Sequence, residues 1–172
     1  NVPISRSSLA DFQQMSGTSV DIATRFLDFG NGLDFPTTEA IDAAEHGGTI
    51  FIKLDPFNVF TPRATSFPLA QIARGDFDRL LIRFAAGARA FGRPIFVTFG
   101  HEMNLLGSTY PWAREAHANP AIYRAAFQHV HDVIENYFRQ HNQPNDCPNS
   151  SRQSNITWVW NPNIPTGNQS PA

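Results

Sequence analysis

One cysteine, Cys147, stands in 172 residues, so no internal disulfide exists and the redox compartment is left open. Charge is scarce: Asp, Glu, Lys and Arg make up 16% of the chain, against a usual share of roughly 25%. The 13 basic residues are scattered and balanced by 15 acidic ones, for a net charge of -2. Nucleic-acid affinity needs clustered Lys and Arg, so a nucleic-acid partner is excluded as an expectation. No run of about 18 apolar residues occurs, which leaves no helical membrane span and no membrane partner to expect. Neither GxGxxG nor GxxxxGK is found, which removes the usual phosphate-cradling loops. A cleavable leader pattern is missing, and the first residue is Asn1 rather than Met. The expectation is a processed or partial product, with an earlier strand preceding "NVPISRSS".

Asn, Ser, Thr, Gln, Gly and Pro fill the place of charge, while aromatics reach 12% and include 15 Phe. A surface of neutral hydrogen-bonding groups suits an extracellular protein or one that handles neutral polar ligands. Along the chain, "SLADFQQMSG" reads as a short helix with Leu9, Phe12 and Met15 on one face and Gly17 as its stop. "VDIATRFLDFG" reads as a strand closing near Asp28. "PTTEAIDAAEHGG" is a helix starting at Thr37 or Thr38 and ended by Gly47 and Gly48. "TIFIKLDP" is a strand ended by Pro56, and "PLAQIARG" supplies a turn or two of helix. "DFDRLLIRFAAGARAFG" is a strong amphipathic helix with Asp76 or Asp78 at its amino end, and "PIFVTFGHE" is the next strand. The longest helix is "NPAIYRAAFQHVHDVIENYFRQH", capped by Asn119 with Pro120 in its first turn. A polar surface loop, residues 140–154, then leads to the strand "NITWVW".

Four strands separated by helical sequence describe β-α crossovers, hence a parallel α/β sheet. Runs such as "TIFI" and "PIFVTF" lack polar alternation and predict strands buried on both faces. Polar and aromatic residues gather at every strand tip, the habit of the (β/α)8 barrel, whose sites lie at the carboxyl ends of the strands. That barrel typically needs roughly 250 residues. The chain is therefore expected to be one incomplete (β/α)8 domain, residues 1–172, covering about strands 2 to 5.

The strand ending "FGHEMN" carries the strongest chemical signal. By strand parity Thr98, Gly100 and Glu102 share one face and Val97, Phe99 and His101 the other. If the first set faces the barrel axis, Glu102 stands at the pocket floor. A partly desolvated carboxyl there holds its proton near neutral pH and delivers it to a glycosidic oxygen; otherwise Glu102 ties neighbouring loops together. His101 either orients Glu102, contacts substrate, or is a satisfied histidine between strand and helix. The zinc pattern HExxH fails, because Leu105 stands where the second histidine belongs. No metal or other cofactor is expected. Asn104 serves a sugar hydroxyl or caps a loop. Tyr110, Trp112 and Trp160 offer aromatic platforms for pyranose rings or anchor loops, and Asn161 is a further substrate contact. Asp55 either binds hydroxyls, supplies a second carboxylate, or initiates the turn at Pro56. Asn149, Asn155 and Asn168 open Asn-x-Ser/Thr sequons, with Asn155 so close to a strand that it is a poor glycan acceptor.

"GDFDRLLIRFAAGARAFGRPIFVTFGHEMN", the later "YPW", the helix "IYRAAFQHVHDVI" and "NITWVWNPN" together resemble glycoside hydrolase family 26, the mannanase-type retaining (β/α)8 enzymes. The resemblance runs over most of residues 20 to 163. It implies that Glu102 is the general acid/base and that His101 helps build the subsite at the cleaved bond. It also implies substrate-side roles for Tyr110, Trp112 and Trp160. Two departures stand out: "LLGST" separates HEMN from Tyr110, and Thr98 replaces an arginine common in the family. The family nucleophile is a glutamate on strand seven, which this chain does not reach by this reading. The resemblance thus implies an endo-acting β-mannan hydrolase when the barrel is complete, and an inactive or barely active chain in isolation. A xylan or mixed β-glucan hydrolase, a non-catalytic glycan-binding barrel, and a half-barrel that assembles with the missing remainder are the alternatives. In each case the partner is a neutral β-linked polysaccharide or oligosaccharide.

Overall fold

A computed structural model describes residues 4–61, 66–105, 110–141 and 154–164. The polar stretch 142–153, with Cys147 and Asn149, lies outside them, as does Asn168.

The chain begins with α1 (Arg6–Ser16), whose start is fixed by a reciprocal cap. Ser5 Oγ accepts from the Ser8 N–H at 3.2 Å, and Ser8 Oγ accepts from the Ser5 N–H at 3.0 Å. Only Leu9 of its apolar stripe is buried; Phe12 and Met15 point outward, so α1 rests on the body by a narrow contact. Next come β1 (Ile22–Asp28), the one-turn helix Phe29–Asn31, α2 (Thr37–Glu45) and β2 (Thr49–Asp55). No side chain caps α2, whose flanking residue is Pro36 rather than a threonine. Then follow α3 (Leu69–Ala73), α4 (Asp78–Phe91) and β3 (Ile95–Phe99). Helix α5 (Pro111–Ala118) precedes α6 (Pro120–His141) and β4 (Ile156–Trp158). At the start of α6 the Asn119 Oδ1 accepts from the Ala121 N–H at 3.2 Å, as a capping asparagine should.

All four strands are parallel and lie in the order β1-β2-β3-β4. A doubly wound nucleotide-binding sheet reverses its order at a switch point, whereas this one advances steadily, as the wall of a barrel does. The architecture is thus an α/β sheet of four parallel strands alternating with helices, consistent with part of a TIM-barrel-like fold.

Ile50, Ile52 and Leu54 of β2 and Ile95, Val97 and Phe99 of β3 are fully buried in one core with Leu81, Phe84, Tyr123, Val130 and Ile134 of the helices. Burying each such side chain contributes about 1.5–3 kcal/mol, which fixes the sheet's helix-facing side. The other side departs from the expectation of double burial. There Ile22 and Phe26 are exposed and Phe51, Lys53 and Phe96 only half-buried. The Lys53 ammonium lies 4.9 Å from the Phe26 ring centre and 5.6 Å from that of Phe51, so its charge rests on aromatic faces rather than on a carboxylate. The apolar runs reflect this aromatic inner lining, not a second layer of helices among the described residues.

Candidate functional site

Register brings the strand-end acids together. Asp28 of β1 pairs with Asp55 of β2 across the parallel ladder, and both line a cavity of about 450 Å³ with Arg25, Phe26, Asn31, Phe57, His101 and Tyr110. Asp28 is already engaged: its carboxylate accepts from the Asn31 backbone N–H at 3.0 Å and from the Asn31 Nδ2 at 2.8 Å. Asp55 is 2% exposed and His101 4%, and His101 Nδ1 lies 2.8 Å from Asp55 Oδ1. Burial pushes the Asp55 carboxyl above its ordinary range, while the hydrogen bond and charge of His101 and the charge of Lys53 pull it back down.

The parity argument for Glu102 fails because β3 ends at Phe99. Beyond it Gly100 has φ +54 and Glu102 has φ +52, so the alternation of faces stops where the chemistry begins. Two left-handed residues flank His101 and swing its ring into the cavity, leaving Glu102 off the cavity wall. Glu102 lies close enough to Tyr110 that its charge, after burial, helps push the phenol pKa up. Its own carboxylate makes no hydrogen bond with any described residue. Its backbone is held from the next strand, the N–H donating to the Asn161 carbonyl at 2.8 Å.

An aromatic box fixes His101. Its ring meets Phe26 at 5.3 Å, Tyr110 at 5.1 Å and Trp112 at 5.6 Å between centres. Trp112 is fully buried, stacks on Tyr110 at 4.6 Å and donates its indole N–H to the His101 carbonyl at 2.8 Å. That burial corrects the expectation of a sugar platform: Trp112 anchors the site from behind, and Tyr110 presents the surface. Trp160 is 57% exposed but leans on α6, with Tyr123 at 5.8 Å and Phe127 at 5.5 Å, so it does not line the cavity. Asn104 is consumed in a two-way tie, its Nδ2 donating to the Asn163 carbonyl at 2.9 Å and its Oδ1 accepting from the Asn163 N–H at 2.7 Å. Asn161 contributes its carbonyl to Glu102, while its side-chain Oδ1 is buried without a partner among the described residues.

The sequence reading missed Tyr123, whose hydroxyl donates to the Phe99 carbonyl at 2.8 Å and approaches that of Gly100 at 3.2 Å. It also missed α5, although Pro111 at a first helical position and apolar Trp112, Ala113 and Ala116 give the helical spacing. Among the described residues no group of three His, Cys, Asp or Glu side chains is placed to hold a metal ion. Asn155 spends its amide on the Ala88 and Arg93 carbonyls at 3.1 and 2.5 Å, which leaves that sequon poorly presented for modification.

No family model matches the chain. It is 26% identical over 163 residues to Endoglucanase H of Acetivibrio thermocellus, in a match covering 92% of this chain and 15% of that protein. The chain therefore corresponds to a small part of the relative's length, and the relation is a distant one, at family level, of glycoside-hydrolase type.

Proposed function

We propose that this chain forms the acid/base side of a glycoside-hydrolase site that takes a neutral β-linked polysaccharide, with Glu102 as general acid/base. One observation carries the reading. Of the three carboxyl groups at the strand ends, Asp28 is bonded to Asn31 and Asp55 to His101, and Glu102 alone of the three makes no side-chain hydrogen bond among the described residues. The cavity, which reaches Glu102 only through Tyr110 on its wall, is large enough for a sugar ring and combines the aromatic faces of Phe26, Phe57 and Tyr110 with polar groups, the mixture a pyranose presents in reverse. Glu102 gives its proton to the departing glycosidic oxygen, then takes one from the water that releases the sugar.

A retaining cycle also requires a second carboxylate roughly 5–5.5 Å from the first. Neither Asp28 nor Asp55 is free to act as that nucleophile, so this chain alone binds glycan without measurable turnover. The resemblance to mannanases favours a β-mannan as substrate, and the relative's name favours a β-glucan.

The test is hydrolysis of β-mannan, β-glucan and xylan by the protein as its host makes it, beside its Glu102→Gln variant. Reducing-end products that fall at least a hundredfold in the variant support the reading, since acid/base catalysis contributes typically 10²–10⁴-fold. Saturable oligosaccharide binding with no products from any polymer replaces it with a non-catalytic glycan-binding barrel.

A further inference from the structure

The Asp55–His101 pair is almost completely buried. Their side chains are 3% and 5% exposed, and the oxygen to nitrogen distance is 2.8 Å. The ring has little freedom to leave this arrangement. Phe26, Tyr110 and Trp112 wall it in, and the backbone beneath it is pinned on both sides. The Gly100 N–H donates to the Leu54 carbonyl at 2.9 Å, and the Trp112 indole donates to the His101 carbonyl at 2.8 Å.

With Nδ1 facing Asp55, the other ring nitrogen lies across the ring from it. His101 Nε2 has no hydrogen bond to any described residue, and the residue lines the cavity. The proton on a neutral imidazole sits where its partner demands it, and a carboxylate demands it on the nearer nitrogen. Nε2 is then left with its lone pair outward.

We propose that Asp55 is a positioning residue that holds His101 in its Nδ1–H form, so that Nε2 accepts a hydrogen bond from one hydroxyl of the bound sugar. This rests on the glycan reading of the cavity, in which His101 is already a substrate contact, and adds to it the residue that fixes which ring nitrogen faces the sugar and with what polarity. A ring carrying a hydroxyl at that point is selected, and a ring lacking it leaves Nε2 unpartnered. It also gives Asp55 a task that leaves it unavailable as a nucleophile.

Long-range proton–nitrogen correlation spectra of the uniformly ¹⁵N-labelled chain at neutral pH read the tautomer directly, His101 being assigned by the signals that vanish in His101→Gln. The expected pattern is a protonated Nδ1 and an unprotonated Nε2. Asp55→Ala shifts the population toward the Nε2–H form; where that variant fails to fold, Asp55→Asn takes its place and gives a measurable share of the same form. A wild-type ring protonated at Nε2, the result if Asp55 instead keeps its proton and donates to Nδ1, overturns the proposal. So does a folded variant with the wild-type pattern.

In a second arm, manno- and cello-oligosaccharides are titrated into the wild-type chain. Binding should move the Nε2 resonance, and the folded variant should bind about tenfold more weakly, the loss of one hydrogen bond of about 1.4 kcal/mol. Saturable binding that leaves Nε2 unmoved overturns the acceptor role. Failure to bind either sugar defeats the glycan reading and the acceptor role with it, while the tautomer pattern still decides whether Asp55 positions the ring.

Discussion

Gly100 is where backbone shape and side-chain packing meet at the site, and replacing it with alanine tests both. The residue has φ +54, and a Cβ added there would lie 3.2 Å from Trp112 Cδ1 and 3.2 Å from Tyr123 Cε2. Holding a non-glycine residue in the left-handed region costs about 1 kcal/mol. Neither ring can retreat easily: Trp112 is fully buried and Tyr123 is 2% exposed, and each is tied by a hydrogen bond to the backbone of residues 99–101. Overpacking of this kind costs about 1–3 kcal/mol more, for an expected total of about 2–4 kcal/mol. Gly92 supplies the control. It closes α4 at φ +69, and the nearest atom to an added Cβ is the Arg89 carbonyl at 3.8 Å, an ordinary contact. Gly92→Ala should therefore cost only the backbone share, about 1 kcal/mol. Urea unfolding followed by tryptophan fluorescence gives both values by linear extrapolation. Equal losses in the two variants, within about 0.5 kcal/mol, would refute the claim that Trp112 and Tyr123 are packed hard against Gly100.

Two further outcomes follow from buried or strained groups. Glu102→Gly should be about as stable as Glu102→Ala or more so, reversing the usual penalty of 0.5–1 kcal/mol for glycine, because φ +52 suits glycine and strains alanine; an alanine variant clearly more stable in urea unfolding would contradict the left-handed backbone. Glu115 accepts from the Leu69 N–H at 3.0 Å, and burial, the largest influence, raises its pKa. The folded state then holds a proton that the unfolded state has released, so stability contributed by this group is full below the ordinary glutamate value of about 4.3 and falls as pH rises through the folded value. Wild type should therefore lose stability relative to Glu115→Gln between mildly acid and neutral pH, and parallel pH curves in urea unfolding would rule the shift out.

The elements that sequence places well are those decided by local periodicity. The amphipathic repeat of α6, with Asn119 before it, determines a helix whatever surrounds it, and the same holds for α4 and for the core of β2. The polar strand tips do gather at the carboxyl end of the sheet, where Asp28, Asp55 and His101 line one cavity. What fails is any step that carries a local pattern past a break in the backbone. Counting alternate residues from Phe96 groups Glu102 with Thr98 and Gly100 on one face, but a left-handed residue at Gly100 resets the count, and nothing in "FGHEMN" reveals its φ. The pairing of Asp55 with His101 is invisible for a different reason: it spans 46 residues and depends on the register of β2 against β3. Trp112 reads as a platform because exposure is not encoded in residue type, and only the packing of α5 decides that its face is covered.

The HEMN stretch thus acts as a divider between two neighbours. His101 is set from the β2 side, through Asp55 and the Leu54 carbonyl. Glu102 and Asn104 are set from the β4 side, through the carbonyl of Asn161 and both backbone groups of Asn163. Left-handed turns at Gly100 and Glu102 make the division possible, since an extended chain would send adjacent side chains to opposite faces of the sheet rather than to two parts of one rim. The acid and the histidine consequently take their supports from different strands. A change in the segment 161–163 is therefore expected to disturb Glu102 more than the Asp55–His101 pair, and a change at Asp55 the reverse, which amide chemical-shift changes at residues 101 and 102 in the two variants would read. The two roles proposed for Glu102 and His101, adjacent in sequence, thus rest on different neighbours of the sheet.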